Sequence, residues 1–167
     1  SSIHGTEGTT TLENDVLLLK VNNKGGQIIE ALIKGFKTYD SLPLHMIKDN
    51  NASFNINFGT TDNRILNTKD LFFEPTFTNN GSAQVLSMKL KVSDNQFLEY
   101  RYEMTDDYMV NFAVQSQGLS TVINSSNTIH LDWTLKGYRH EKSLYTENTM
   151  YSYYYYKSED EVDYLNA

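Results

Sequence analysis

Apolar and polar residues alternate with a period of two along most of this chain. Phe54, Ile56 and Phe58 are interleaved with Asn55 and Asn57. Leu86, Met88, Leu90 and Val92 alternate with Ser87, Lys89 and Lys91, and Leu98, Tyr100, Tyr102 and Met104 with Glu99, Arg101 and Glu103. Val110, Phe112 and Val114 follow the same rule, as do Ile129, Leu131, Trp133 and Leu135. Side chains on a strand point to alternate faces, so each set puts its apolar members on one side of a sheet. Near the start, Val16 to Val21 reads as a strand, Asn22-Asn23-Lys24-Gly25-Gly26 as a turn, and Gln27 to Ile33 as a second strand. Glycine enters φ > 0 without a Cβ clash, so the chain can reverse at Gly25-Gly26.

Clusters of Asn, Asp, Ser and Gly separate the strand patterns: Asp40 to Pro43, Asp49 to Asn51, Thr78 to Gly81, Ser93 to Asn95, Thr105 to Asp107 and Asn124 to Asn127. Asn and Asp favour turns because they tolerate the left-handed region and bond their own backbone. Short, regularly spaced strands with one apolar face predict an all-β fold, an antiparallel β-sandwich of two sheets over a shared core. Phe54, Phe58, Leu90, Tyr100, Phe112, Leu131 and Trp133 are the expected inward residues. No amphipathic helix pattern occurs, and Asp62 to Leu71 has room for a single helical turn. Residues 1–10 are small and polar and read as a flexible N-terminal tether, with 11–167 as one sandwich domain.

Composition sharpens this picture by exclusion. Aromatics make up 13% of the 167 residues, with 12 Tyr and 8 Phe, a bias that suits pleated surfaces. The net charge of −7 repels phosphate backbones and predicts no nucleic-acid partner. The absence of cysteine removes thiolate catalysis, thiolate metal sites and disulfides. The longest apolar run, Val16 to Leu19, is strand-sized and far short of a membrane-spanning helix.

Candidate chemistry is sparse. His130 and Asp132 stand two apart on a strand and share a face, a spacing that suits a pair of metal ligands or a His–carboxylate couple. No third group is tied to them by spacing, so an exposed polar face is the stronger reading. Arg139-His140-Glu141-Lys142 reads as a charged turn, and His4 and His45 stand without a visible partner. Asn51, Asn80 and Asn124 begin glycosylation triplets, which chance supplies in an Asn-rich chain. The run Tyr151 to Tyr156 reads as an inner aromatic strand or, if exposed, as a stacking surface for sugars or peptides. The expectation is therefore no catalytic residue, no cofactor and no metal.

The opening pattern Asn14-Asp15-Val16-Leu17, Asn23-Lys24-Gly25-Gly26 and Ala31 to Lys34 resembles the start of the large periplasmic domain of the bacterial membrane protein insertase family YidC/Oxa1/Alb3, in its Bacteroides-type form. Leu66 to Phe73, Phe97 to Met104, Asp106 to Phe112, Leu131 to Leu135, and the tyrosine run followed by Asp160-Glu161-Val162 are similar to later segments of that domain, in the same order. The resemblance implies a β-supersandwich of galactose-mutarotase-like type, of which this chain forms the N-terminal part. It implies the periplasm as location, within an inner-membrane protein that assists insertion and folding of other membrane proteins. Sec translocon accessory subunits and nascent membrane proteins are the implied partners, reached through the parent protein. An edge-strand dimer is a further expectation, because missing strands would leave an open sheet edge. The alternative is a mutarotase-like carbohydrate-active or carbohydrate-binding envelope domain.

Overall fold

The computed structural model describes residues 4–38, 40–136, 153–157 and 162–166. Three antiparallel sheets account for most of them. The first runs β1 (Thr9–Glu13), β2 (Leu17–Asn22), β3 (Ile28–Lys37) and β4 (Pro43–Ile47), in chain order. The second has the order β10-β9-β8-β7, from β7 (Glu74–Asn79), β8 (Gln84–Ser93), β9 (Gln96–Met104) and β10 (Val110–Gln117). The third sets β11 (His130–Leu135) beside β5 (Ala52–Gly59) and β6 (Ile65–Asn67). Two further strands, β12 (Tyr153–Lys157) and β13 (Val162–Asn166), pair with each other. The expected helical turn is a 3₁₀ turn at Thr68–Asp70, and a second one lies at Leu119–Thr121.

The core follows from the register of β8 and β9. Leu86 lies opposite Tyr102, Met88 opposite Tyr100 and Leu90 opposite Leu98. Leu86, Met88 and Tyr100 are fully buried. Leu12, Leu19 and Val21 of the first sheet and Ile56 and Phe58 of the third join the same buried cluster. Phe54 meets Tyr100 edge to face at 5.3 Å, which locks β5 onto β9. The β2–β3 turn is drawn under the same tyrosines. Tyr102 donates from its hydroxyl to the Gly26 carbonyl at 2.7 Å. Gly26 sits at φ 62°, and a Cβ there would come within 3.0 Å of both Phe73 and Tyr100. Only glycine suits that position, on both counts.

Several expectations need correction. Phe58, Leu90 and Tyr100 are buried and Phe54 packs against them; Phe112 faces inward onto the rings of Phe54, Tyr100 and Tyr102 but stays 41% exposed, and Trp133 and Leu131 are 55% and 58% exposed. Among the described residues their strands, β10 and β11, are the outermost members of their sheets. Periodicity places a side chain on a face, and at a sheet edge that face has less to pack against. The second strand extends to Lys37, beyond the expected end at Ile33, through a register shift that Gly35 accommodates at φ 78°. The N-terminal strand begins at Thr9, paired with Asn22. Ahead of it, the Asn23 N–H donates to the Gly8 carbonyl at 2.9 Å.

Candidate functional site

The most distinctive surface among the described residues is the one to which β10 and β11 both contribute. Among the described residues each is a terminal strand, β10 paired to β9 and β11 to β5. Phe112 of β10 and Trp133 of β11 line one cavity of about 270 Å³ together with Phe54 and Tyr102. Further along, Ser116 and Ile129 line a second cavity of about 380 Å³, floored by Ile56, Phe58 and Leu90. Phe112 and Trp133 thus reach one cavity from two different sheets, and Val114, Leu131 and Leu135 on the same two strands are about half exposed. Residues Leu119, Val122 and Ile123, from the 3₁₀ turn and the loop after it, close one end. No periodic pattern in the sequence points to that loop contribution. Its only trace was apolar residues in a turn region, which periodicity arguments pass over.

Asn51 holds β11 in place at its far end. Its side-chain amide donates to the carbonyls of Met46 at 3.0 Å and Lys136 at 2.8 Å, while its Oδ1 accepts from the Lys48 N–H at 2.8 Å. The Lys136 N–H returns a bond to the Asn51 carbonyl at 2.8 Å. A residue so buried and so fully bonded is a staple between strands, not a glycan acceptor.

His130 and Asp132 do share a face of β11, opposite Asn57 and Asn55 in register, and both are exposed. Their neighbours are committed elsewhere. Asn55 and Asn57 both donate to Asn67 Oδ1, at 3.0 and 2.9 Å. Asn55 also accepts from the Lys69 N–H at 3.1 Å, which anchors the 3₁₀ turn. Among the described residues no group of three or more His, Asp or Glu is placed to hold a metal ion. The chain Arg139 to Lys142 and the side chains of the tyrosine run lie outside the described residues.

His45 has the partner that the sequence did not reveal. Its Nε2 lies 3.2 Å from Glu30 Oε1, and Lys20 reaches the other carboxylate oxygen at 3.0 Å. The three groups cross β2, β3 and β4. The Lys20 ammonium, and after it the His45 ring, hold the Glu30 carboxyl below its usual range against the opposing effect of burial. The arrangement is a cross-strand ion pair of the kind that fixes register.

Tyr100 and Tyr102 are the most perturbed titratable groups. Burial pushes the Tyr100 phenol up to about 12 and Tyr102 higher still. Neither sits in a cleft beside an acid or base. Tyr102 bonds a backbone carbonyl, and the buried Tyr100 hydroxyl makes no hydrogen bond among the described residues. Their shifts belong to the core rather than to catalysis.

Comparison with known proteins places the chain among periplasmic domains of one family. The family model described as the YidC periplasmic domain matches residues 9–166. A membrane protein insertase YidC of Porphyromonas gingivalis is 36% identical over 97% of this chain and 26% of its own length. That of Parabacteroides distasonis is 34% identical over the same shares, and that of Bacteroides fragilis 28% identical over 100% of this chain and 27% of its own length. The chain spans about a quarter of the length of the curated relatives it matches. No solved structure matches the chain.

Proposed function

The chain belongs to the family of YidC periplasmic domains, and from that premise we propose that it serves as the extracytoplasmic domain of an inner-membrane protein insertase, as a non-catalytic scaffold or docking module. The observation that carries this reading is the family match across residues 9–166, essentially the whole sandwich. The insertase name of the relatives supports it. Among the described residues no helix is long and apolar enough to cross a membrane, so in this reading insertion falls to segments outside this chain.

The geometry suits a docking role better than a reaction. Ion pairs on the surface are already closed among themselves, and the tyrosines with shifted phenols are sealed in the core. A sheet edge offers a row of backbone donors and acceptors to an added strand, and the outer strands here supply such edges. In this reading the domain lies in the periplasm, and its partners are nascent inner-membrane proteins and accessory subunits of the Sec translocon, reached through the parent protein.

The experiment is deletion of residues 9–166 from the full-length parent, followed by measurement of reporter insertion and of pull-down with the Sec accessory subunits. Weakened pull-down with the membrane core still produced supports the docking role. Unchanged pull-down and unchanged insertion would refute it. A parent gene without membrane spans would remove the insertase assignment altogether.

A further inference from the structure

We infer that Asn14 and Gln84 form an amide clasp that fastens the first sheet to the second and opens as one unit, releasing β1 and the β9–β10 turn together. Asn14 shapes the β1–β2 turn with its acceptor end. Its Oδ1 accepts from the Val16 and Leu17 N–H groups at 2.9 and 2.7 Å. Its donor end crosses the sandwich. The Nδ2 donates to the carbonyls of Thr105 and Asp107, at 2.6 and 2.8 Å. Both carbonyls lie in the turn between β9 and β10, where Asp107 Oδ1 accepts from the Met109 N–H at 2.8 Å. A side-chain amide offers two N–H donors and an oxygen with two lone pairs, and here all four are used. Only one orientation of the amide meets two N–H groups and two carbonyls at once, so its ends cannot be exchanged.

Gln84 makes the second half of the clasp, one residue away on each side. Across the β1–β2 hairpin the Asn14 N–H donates to the Leu17 carbonyl at 3.0 Å. Hydrogen bonding alternates along an antiparallel pair, so the adjacent Glu13 N–H and carbonyl point away from β2. Gln84, at the start of β8, meets both of them. Its Oε1 accepts from the Glu13 N–H at 3.0 Å, and its Nε2 donates to the Glu13 carbonyl. The side chain stands where the peptide group of a further strand would pair. Lys34 of β3 secures the same corner, with its ammonium on the Glu13 carboxylate and, at 2.8 Å, on the Asn14 carbonyl. The two amides are coupled through the backbone. Gln84 lies opposite Met104, the last residue of β9, and Thr105 follows directly. Glu13 and Asn14 are likewise consecutive, so both amides bridge the same two pieces of chain. This corner is also separable from the core. β1 has five residues and one buried side chain, Leu12, whereas β8 and β9 carry the fully buried Leu86, Met88 and Tyr100. Segments with few buried apolar contacts open below the global unfolding free energy, in contiguous cooperative units. The clasp is a property of the fold whatever the domain docks.

The test is residue-resolved amide hydrogen exchange on the full 167-residue chain and on the variants Asn14→Asp and Gln84→Glu. A carboxylate keeps the acceptor oxygens and loses the donor. Asn14→Asp therefore retains the bonds from Val16 and Leu17 and loses the bridge to Thr105 and Asp107. Gln84→Glu retains the bond from the Glu13 N–H and loses the one to the Glu13 carbonyl. The expected result for either variant is exchange about ten-fold faster at both the Glu13 and the Met109 N–H, with Leu86 and Met88 unchanged. A merely local role gives a different pattern. Acceleration confined to Met109 in Asn14→Asp and to Glu13 in Gln84→Glu would overturn the proposal, and so would an equal rise at Leu86 and Met88. The unaltered chain supplies a second reading that does not depend on a variant folding. In low denaturant, Glu13 and Met109 should share one opening constant, larger than that of Leu86. Two unrelated constants, or a shared one equal to that of Leu86, would overturn the proposal equally.

Discussion

Tyr100 and Tyr102 are neighbours on one strand, and the same substitution at each should change stability in opposite directions. The Tyr102 hydroxyl donates to the Gly26 carbonyl at 2.7 Å in the buried core. Tyr102→Phe removes that bond and leaves the carbonyl without its partner, a loss of about 1–2 kcal/mol. Among the described residues the buried Tyr100 hydroxyl makes no hydrogen bond, and the Thr68 hydroxyl beside it offsets only part of the cost of its burial. Tyr100→Phe removes a desolvated polar atom and keeps the ring contacts with Phe54, Phe73 and Phe112. It should stabilise by about 1 kcal/mol. For a urea slope of roughly 1.5–2 kcal/mol/M, the midpoints should move by about 0.5–1 M, up for Tyr100→Phe and down for Tyr102→Phe. Urea unfolding followed by circular dichroism reads both. An equal loss in the two variants would refute the reasoning, because it would mean that the Tyr100 hydroxyl is satisfied in the folded state.

The same two phenols predict alkaline sensitivity. Their folded pKa values lie above the ordinary 10.0, that of Tyr100 at about 12, so the folded state retains protons that the unfolded chain releases. Stability is therefore full below pH 10 and falls above it, by about 1.4 kcal/mol per pH unit for each group; a urea midpoint that stays flat from pH 9 to 11 would contradict this. Asn51→Ala should cost about 2–3 kcal/mol by orphaning the Met46 and Lys136 carbonyls and the Lys48 N–H, and should raise hydrogen exchange at β11 more than at β8; uniform change across both strands would count against the staple. Glu30→Gln should cost less than about 1 kcal/mol at pH 7. Because the Glu30 carboxyl is held below 4.5 when folded, that contribution is present above this pH and fades as pH falls through the folded value, so wild type and variant should converge in acid.

How much of this was legible depended on what each signal measures. β8 and β9 were readable because both of their faces contrast, apolar inward and charged outward, and their inner residues proved buried. The alternation in β10 and β11 was equally clear, yet Leu131 and Trp133 are exposed and Phe112, though its ring meets Tyr100 and Tyr102, is only partly covered. Period two reports which side of the pleat a residue occupies, not whether another sheet lies across from it. β4 and β7 carried no signal. Pro75 sits in β7, an edge strand whose residues are all exposed, where a missing N–H costs nothing and alternation is not selected. The Glu30–His45 pair escaped because it depends on the register between β3 and β4, which includes a bulge that the sequence does not announce.

The contact between Tyr102 and Gly26 also bears on the order in which the domain can assemble. Its partners are 76 residues apart, the bond from Gln84 to β1 spans 71, and the Asn51 staple reaches 85 residues to Lys136. Closure of the core thus waits on loops that lose much chain entropy before any contact rewards them, which places this sandwich among slow folders. A chain delivered to its compartment from the N-terminus presents β1 to β3 first, with the Gly25-Gly26 turn and the apolar face of Leu12, Leu19 and Val21 uncovered until β9 arrives. During that interval the early hairpin is open to proteases and to mispairing. Vectorial delivery therefore sets a window of vulnerability whose length is fixed by the distance from Gly26 to Tyr102, not by the stability of the finished fold.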